Sequence, residues 1–133
     1  AARRALDEAG GKILLTARAE NYAPLVERIR RLTAFAEAGA DCLFAPGLRS
    51  LSDITEVVRA VAPKPVNVLV GSDFTTVAEM AAAGVRRISV GGALARTAWA
   101  GFFRAAREIA EQGTFSALAA GTPSAELERA FST

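Results

Sequence analysis

The chain has no histidine, one cysteine, two lysines, and one each of tryptophan, tyrosine and methionine. Without imidazole, His-based acid–base chemistry and His-ligated zinc are both excluded within its 133 residues. The lone thiol, Cys42, cannot close an internal disulfide. Its apolar setting, Cys42-Leu43-Phe44-Ala45, reads as a buried, inert sulfur in a reducing cytoplasm. Only Lys12 and Lys64 could act as Schiff-base amines, because the other 14 basic residues are arginines. Sixteen basic residues against 14 acidic ones leave a net charge of +2, so there is no strongly basic arm for nucleic acid. No apolar run approaches the ~20 residues of a membrane span. The opening stretch, Ala1-Ala2-Arg3-Arg4-Ala5-Leu6-Asp7-Glu8, carries acid and lacks the apolar core of a signal peptide. No Asp-x-Asp pair occurs and no strand end carries two carboxylates. A divalent ion needs several hard oxygens, so the chain by itself offers no Mg²⁺ site.

What is present is a globular composition, 51% hydrophobic and 23% charged, in one domain's length of chain. The opening residues read as the last turns of a helix stopped by Gly10-Gly11, an expectation that more chain lies upstream. Strand and helix then alternate. Lys12–Arg18 is an apolar run that reads as a buried strand ending in polar residues. A helix over about Pro24–Ala38 buries Leu25, Ile29, Leu32 and Ala36, with Glu27, Arg28, Arg30 and Arg31 mostly facing away, and stops at Gly39. Cys42–Ala45 is a second strand. Ser50–Val61 is a helix with one stripe of Leu51, Ile54, Val57, Val58 and Val61 and an N-cap at Ser50 or Ser52. Val66–Val70 is a β-branched third strand. Thr76-Val77-Ala78-Glu79 is a capping box for a short helix ending before Gly84. Arg86–Val90 is a fourth strand, and a long helix runs from Gly91-Gly92 to about Gln112. Short helical pieces at Phe115–Ala120 and Ser124–Phe131 finish the chain.

Residues 36–47 and 81–92 align without gaps as helix end, glycine stop, strand and glycine turn, as repeated βα units do. Four such units imply a parallel sheet, either open and doubly wound or half of an eight-stranded barrel. A barrel takes roughly 250 residues. The first strand is followed by Ala-Arg-Ala-Glu-Asn and not by a glycine fingerprint for dinucleotides, which favours the half-barrel.

In barrels the chemistry sits where strands end. Arg18 closes an apolar strand, and alternation points Thr16, Arg18 and Glu20 the same way. A guanidinium fork there can grip a carboxylate or phosphonate. It can equally form a salt bridge with Glu20. Asn67 sits inside a β-branched strand and either contacts substrate or ties neighbouring strands. Gly91 and Gly92 open a helix N-terminus, where free N–H groups accept an anion, or make a plain tight turn. Trp99, Phe102 and Phe103 crowd adjacent faces of the long helix, as core or as a surface for another chain.

Four stretches in order, Leu14-Leu15-Thr16-Ala17-Arg18-Ala19-Glu20-Asn21-Tyr22, residues 36–48, Lys64-Pro65-Val66-Asn67-Val68-Leu69 and residues 84–94, resemble the C-terminal half of the isocitrate lyase / phosphoenolpyruvate mutase superfamily, close to its small carboxyvinyl-carboxyphosphonate phosphorylmutase-like and oxaloacetate-decarboxylase-like bacterial members. The resemblance implies an α/β fold, the C-terminal half of a (β/α)8 TIM barrel plus C-terminal helices, spanning residues 1–133. It implies Mg²⁺-dependent C–C or P–C chemistry on small α-oxo or hydroxy acids through an enolate, with the metal ligands encoded outside this chain. It matches Arg18 to a catalytic, acid-binding arginine, with Glu20, Asn67, Gly91 and Gly92 as further substrate contacts. It also implies that the helix over 94–112 is exchanged between subunits of a cytoplasmic homo-oligomer with neither nucleic-acid nor membrane partners. The turn at Ala45-Pro46-Gly47 lacks the Glu or His of relatives, and no Asn-x-Thr-Glu follows Val66. These departures speak against true isocitrate cleavage. The alternative expectation is a non-catalytic half-barrel that self-associates.

Overall fold

The computed structural model describes residues 1–10, 12–20 and 23–132. In chain order the elements are α1 (Ala2–Glu8), β1 (Thr16–Arg18), α2 (Leu25–Glu37), β2 (Cys42–Phe44), α3 (Leu51–Val61), β3 (Val66–Leu69), α4 (Val77–Ala82), β4 (Arg87–Ser89), α5 (Ala93–Gln112), a 3-10 turn (Ser116–Ala120) and α6 (Ser124–Phe131). They form two compact units. One runs from Ala1 to Gly91 and holds the sheet; the other begins at Gly92 and is helical. Among the described residues no helix is long and apolar enough to cross a membrane.

The sheet has the order β1-β2-β3-β4 and is parallel throughout. Its register places Arg18 beside Phe44, Phe44 beside Asn67 and Asn67 beside Arg87. Side chains alternate across a strand. Leu43, Val66, Val68, Ala17 and Ile88 therefore fall on one face, where they pack with Leu32 of α2, Ile54 and Val57 of α3 and Met80 of α4. Thr16, Arg18, Cys42, Phe44, Asn67, Leu69, Arg87 and Ser89 fall on the other. That second face is concave. Arg87 Nη1 donates to Thr16 Oγ1 at 2.9 Å, although β2 and β3 lie between them. Three flat strand spacings would separate the two backbones by about 14 Å, so the sheet must curl toward this face.

Local signals set the helix ends. Ser50 caps α3 by accepting from the Asp53 amide. Thr76 and Glu79 cap α4 reciprocally, with the Thr76 amide donating to Glu79 at 2.7 Å. Gly84 stops α4 at φ +84°, and an added Cβ would meet Val58 Cγ1 at 2.9 Å. Asp41 joins α1 to the sheet, because its carboxylate accepts from Arg3 and from the Leu15 amide, each at 2.8 Å.

Two expectations are corrected. The first strand is only Thr16–Arg18 and does not extend over Lys12–Leu15, and Ile13 and Leu14 are exposed. β1 is the edge of the sheet, so nothing covers them from that side. Arg28 does not face away from the core but is buried. It lies in the first turn of α2 and finds backbone carbonyls to satisfy it, which makes the burial tolerable. The Gly11 half of the double-glycine stop lies outside the described residues, as do Asn21 and Tyr22 of the motif after β1.

In the helical unit no residue of α5 is buried. Trp99, Phe102 and Phe103 are half-exposed and cluster with ring centroids 5.2 to 5.7 Å apart. Glu108 fastens the 3-10 turn to α5. It accepts from Thr114 Oγ1 at 2.6 Å and from the Ser116 and Ala117 amides at 2.7 Å. Those donors, the Thr114 hydroxyl first, hold its carboxyl below the usual carboxylate range.

Candidate functional site

The concave face of the first unit collects the polar side chains that its strands carry. At the carboxyl end of β1, Arg18 is ion-paired with Glu20, two residues on and on the same face. Its Nη2 donates to Glu20 Oε1 at 2.9 Å. The guanidinium also lies over the Phe44 ring of β2, 5.1 Å from its centre. Both charged side chains are more than half exposed. Arg18 is thus held at the rim by a flat apolar support on one side and a carboxylate on the other. The carboxylate is exchangeable, since an exposed pair contributes little. An incoming carboxylate or phosphonate can take over the bidentate contact that Glu20 now makes.

Asn67, one strand further on, is 3% exposed. Its Nδ2 donates to Ser89 Oγ of β4 at 3.0 Å, so it does tie neighbouring strands. Its Oδ1 is buried with no hydrogen-bond partner. A buried amide oxygen without a donor costs stability, and the atom is free to accept from a ligand or a neighbouring chain. Gly91 lies just past β4 at φ +51°, and a Cβ there would sit 3.4 Å from Leu69 Cδ1. Gly92 opens the helical unit as the N-cap of α5. The structure thus joins Arg18 to Glu20 directly and reaches Asn67 through Phe44, whereas Gly92 belongs to the other unit.

Arg28 and Phe44 carry weight that the sequence did not signal. Arg28 Nε donates to Ala23 O at 2.8 Å and its Nη1 to Pro46 O at 3.2 Å. It therefore pins the loop after β1 to the loop after β2, at the rim that holds Arg18. Neither acceptor is a side chain, so no motif could have announced the clamp. Phe44 reads in sequence only as one apolar residue of a strand; strand alternation could have placed it beside Arg18, had the register been known.

The concave face offers one carboxylate, Glu20, already bridged to Arg18, together with the Asn67 oxygen and two hydroxyls. Among the described residues no group of three or more His, Cys, Asp or Glu side chains is placed to hold a metal ion. Two guanidinium groups on the same face add positive charge. This donor set does not fit a resident divalent cation.

Parallel βα units with an anion-gripping arginine at the strand ends define half of a (β/α)8 barrel. The family described as phosphoenolpyruvate phosphomutase matches residues 1–110, and the chain belongs to that family. A protein of Burkholderia cenocepacia J2315 described as a lyase/mutase is 46% identical, with a TM-score of 0.82 over 90% of this chain and 45% of that one. An oxaloacetate acetylhydrolase bound to 3,3-difluorooxalacetate is 26% identical, with a TM-score of 0.82 over 96% of this chain and 45% of its own. A 2,3-dimethylmalate lyase of the PEP mutase/isocitrate lyase superfamily is 25% identical, with a TM-score of 0.78 over 86% and 42%. The chain spans less than half the length of each. No curated protein matches it significantly.

Proposed function

We propose that this chain forms the acid-binding half of a lyase or mutase that breaks or forms a C–C or P–C bond in a small α-oxo or hydroxy acid. The observation that carries the reading is Arg18, held over Phe44 at the carboxyl end of β1 with only an exposed carboxylate to displace. The relatives' names support the substrate class: one acts on oxaloacetate and another on 2,3-dimethylmalate.

In this reading Arg18 takes the substrate's carboxylate or phosphonate as a bidentate partner, and Glu20 yields its place. Asn67 Oδ1 accepts a hydroxyl or enol proton, while its Nδ2 stays on Ser89. Gly91 and Gly92 give backbone N–H groups to the substrate without a Cβ in the way. Arg28 keeps the two rim loops in register. Mg²⁺, with ligands from outside this chain, is the cofactor of the whole enzyme in this proposal. We further propose a cytoplasmic homo-oligomer in which α5 is exchanged between subunits, a reading supported by the exposed Trp99, Phe102 and Phe103 cluster. That same cluster would also serve a non-catalytic, self-associating half-barrel.

Titration of the chain with oxalate and with phosphonopyruvate tests the reading. Binding is expected for the native chain and is lost in Arg18→Met; binding that survives the substitution overturns the role of Arg18. Turnover of oxaloacetate, phosphonopyruvate or 2-methylisocitrate with Mg²⁺ by this chain alone would overturn the placement of the metal ligands elsewhere.

A further inference from the structure

We propose that the concave face of the sheet is a docking surface for a different polypeptide: a half-barrel that presents a carboxylate to Arg87 and a hydrogen-bond donor to Asn67. The sheet has two open edges, since β1 and β4 each pair with one neighbour only. Its curl, shown by the contact from Arg87 to Thr16, leaves a hollow on the face away from the helices. A cleft of about 560 Å³, bordered by Leu14, Thr16, Cys42, Arg86 and Arg87, opens from it.

The charges on this face decide what fits. A closed parallel barrel is filled with side chains and holds no open channel, so any occupant that completes it buries Arg87. A guanidinium has five N–H donors and always carries its charge. Arg87 has one neutral bond, to Thr16, and among the described residues no carboxylate lies within 4.0 Å of it. Burying it in that state would be strongly unfavourable. The acids of this unit that come closest are already engaged. Glu20 is bridged to Arg18, and Asp41, on the border of the same cleft, is held by Arg3 and the Leu15 amide. The counter-charge must therefore arrive with the occupant. The Asn67 Oδ1 atom, buried and without a donor, makes the same demand independently.

A second copy of this chain fits poorly. A two-fold pairing face to face brings the same patch from both sides. It would set one Arg87 against another and would supply no free acid. An acidic inner face on a distinct half-barrel satisfies both the edges and the charge.

The test compares Arg87 in two settings. A chimera is built in which this chain replaces its aligned segment in the Burkholderia cenocepacia lyase/mutase, a relative 46% identical of which it covers 45%. Arg87→Met is expected to lower the folding equilibrium constant of the chimera by at least tenfold and that of this chain alone by less than threefold. Arg87→Glu is expected to be worse still in the chimera. Equal losses in both settings would show that Arg87 serves only its bond to Thr16, and would overturn the proposal. Should the chimera not fold, this chain is co-expressed with the remaining part of the relative. Co-purification that is lost in Arg87→Glu supports the surface; no co-purification, or none that depends on Arg87, overturns it. A dimer of this chain in sedimentation that depends on Arg87 would make the occupant a second copy and also overturn it. No turnover enters any of these readouts, so a failure of the catalytic reading leaves them unaffected.

Discussion

The guanidinium of Arg18 lies 5.1 Å from the centre of the Phe44 ring, one strand away in the parallel register. An aromatic face under a cation both attracts it and limits where it can swing. At exposed sites such a contact contributes about 0.5–1 kcal/mol.

Phe44→Leu is therefore expected to weaken oxalate binding about two- to fivefold by this cation–π loss. Arg18→Lys should do more, because a point charge cannot copy the two-pronged grip of a guanidinium. Calorimetric titration of the two variants checks both, and an Arg18→Lys chain that binds as well as the native one would contradict the bidentate role.

Asn67→Val should separate stability from binding. The substitution loses the bond to Ser89 but also removes an oxygen buried without a donor. Net stability in urea should stay within about 1 kcal/mol of the native chain. The shift in melting temperature on adding oxalate should disappear. A large loss of stability would mark Asn67 as a structural strut.

Arg28→Met leaves the Ala23 and Pro46 carbonyls without their shared donor. The expected cost is about 1–3 kcal/mol, read from the urea midpoint. Proteolysis should accelerate first in the loops after β1 and β2, since those are the segments the clamp joins.

Gly84→Ala tests the end of α4. Its φ of +84° disfavours any Cβ, and the added carbon would press on Val58 at 2.9 Å. A loss of about 1–3 kcal/mol is expected from the strained backbone alone; an unchanged urea midpoint would show that the turn has another conformation available.

Acid should loosen the joint between α1 and the sheet. The Leu15 amide, and then Arg3, hold the Asp41 carboxyl below its ordinary value. Because the folded value is depressed, the stabilisation is complete above the unfolded carboxylate value and is lost as pH falls through the folded one. Asp41→Asn should lower stability at pH 7 and flatten its decline below about pH 4, the ordinary carboxylate range. Melting temperatures of both chains between neutral and acid pH give the comparison.

Much of the fold can be read along the chain, because its determinants are local. The Ser50 cap, the box of Thr76 and Glu79, the stop at Gly84 and the stripe of α3 each need only a few neighbouring residues, and together they dictate four βα units. Strand alternation likewise put Thr16, Arg18 and Glu20 on one face before any sheet was known. Tertiary structure alone decided which distant residues meet there: Phe44 beneath Arg18, Ser89 against Asn67, Arg28 between two loops, and Arg87 across the hollow to Thr16. Those contacts depend on strand order, register and curvature, which are set by the packing of the whole sheet and leave no short-range pattern in the chain.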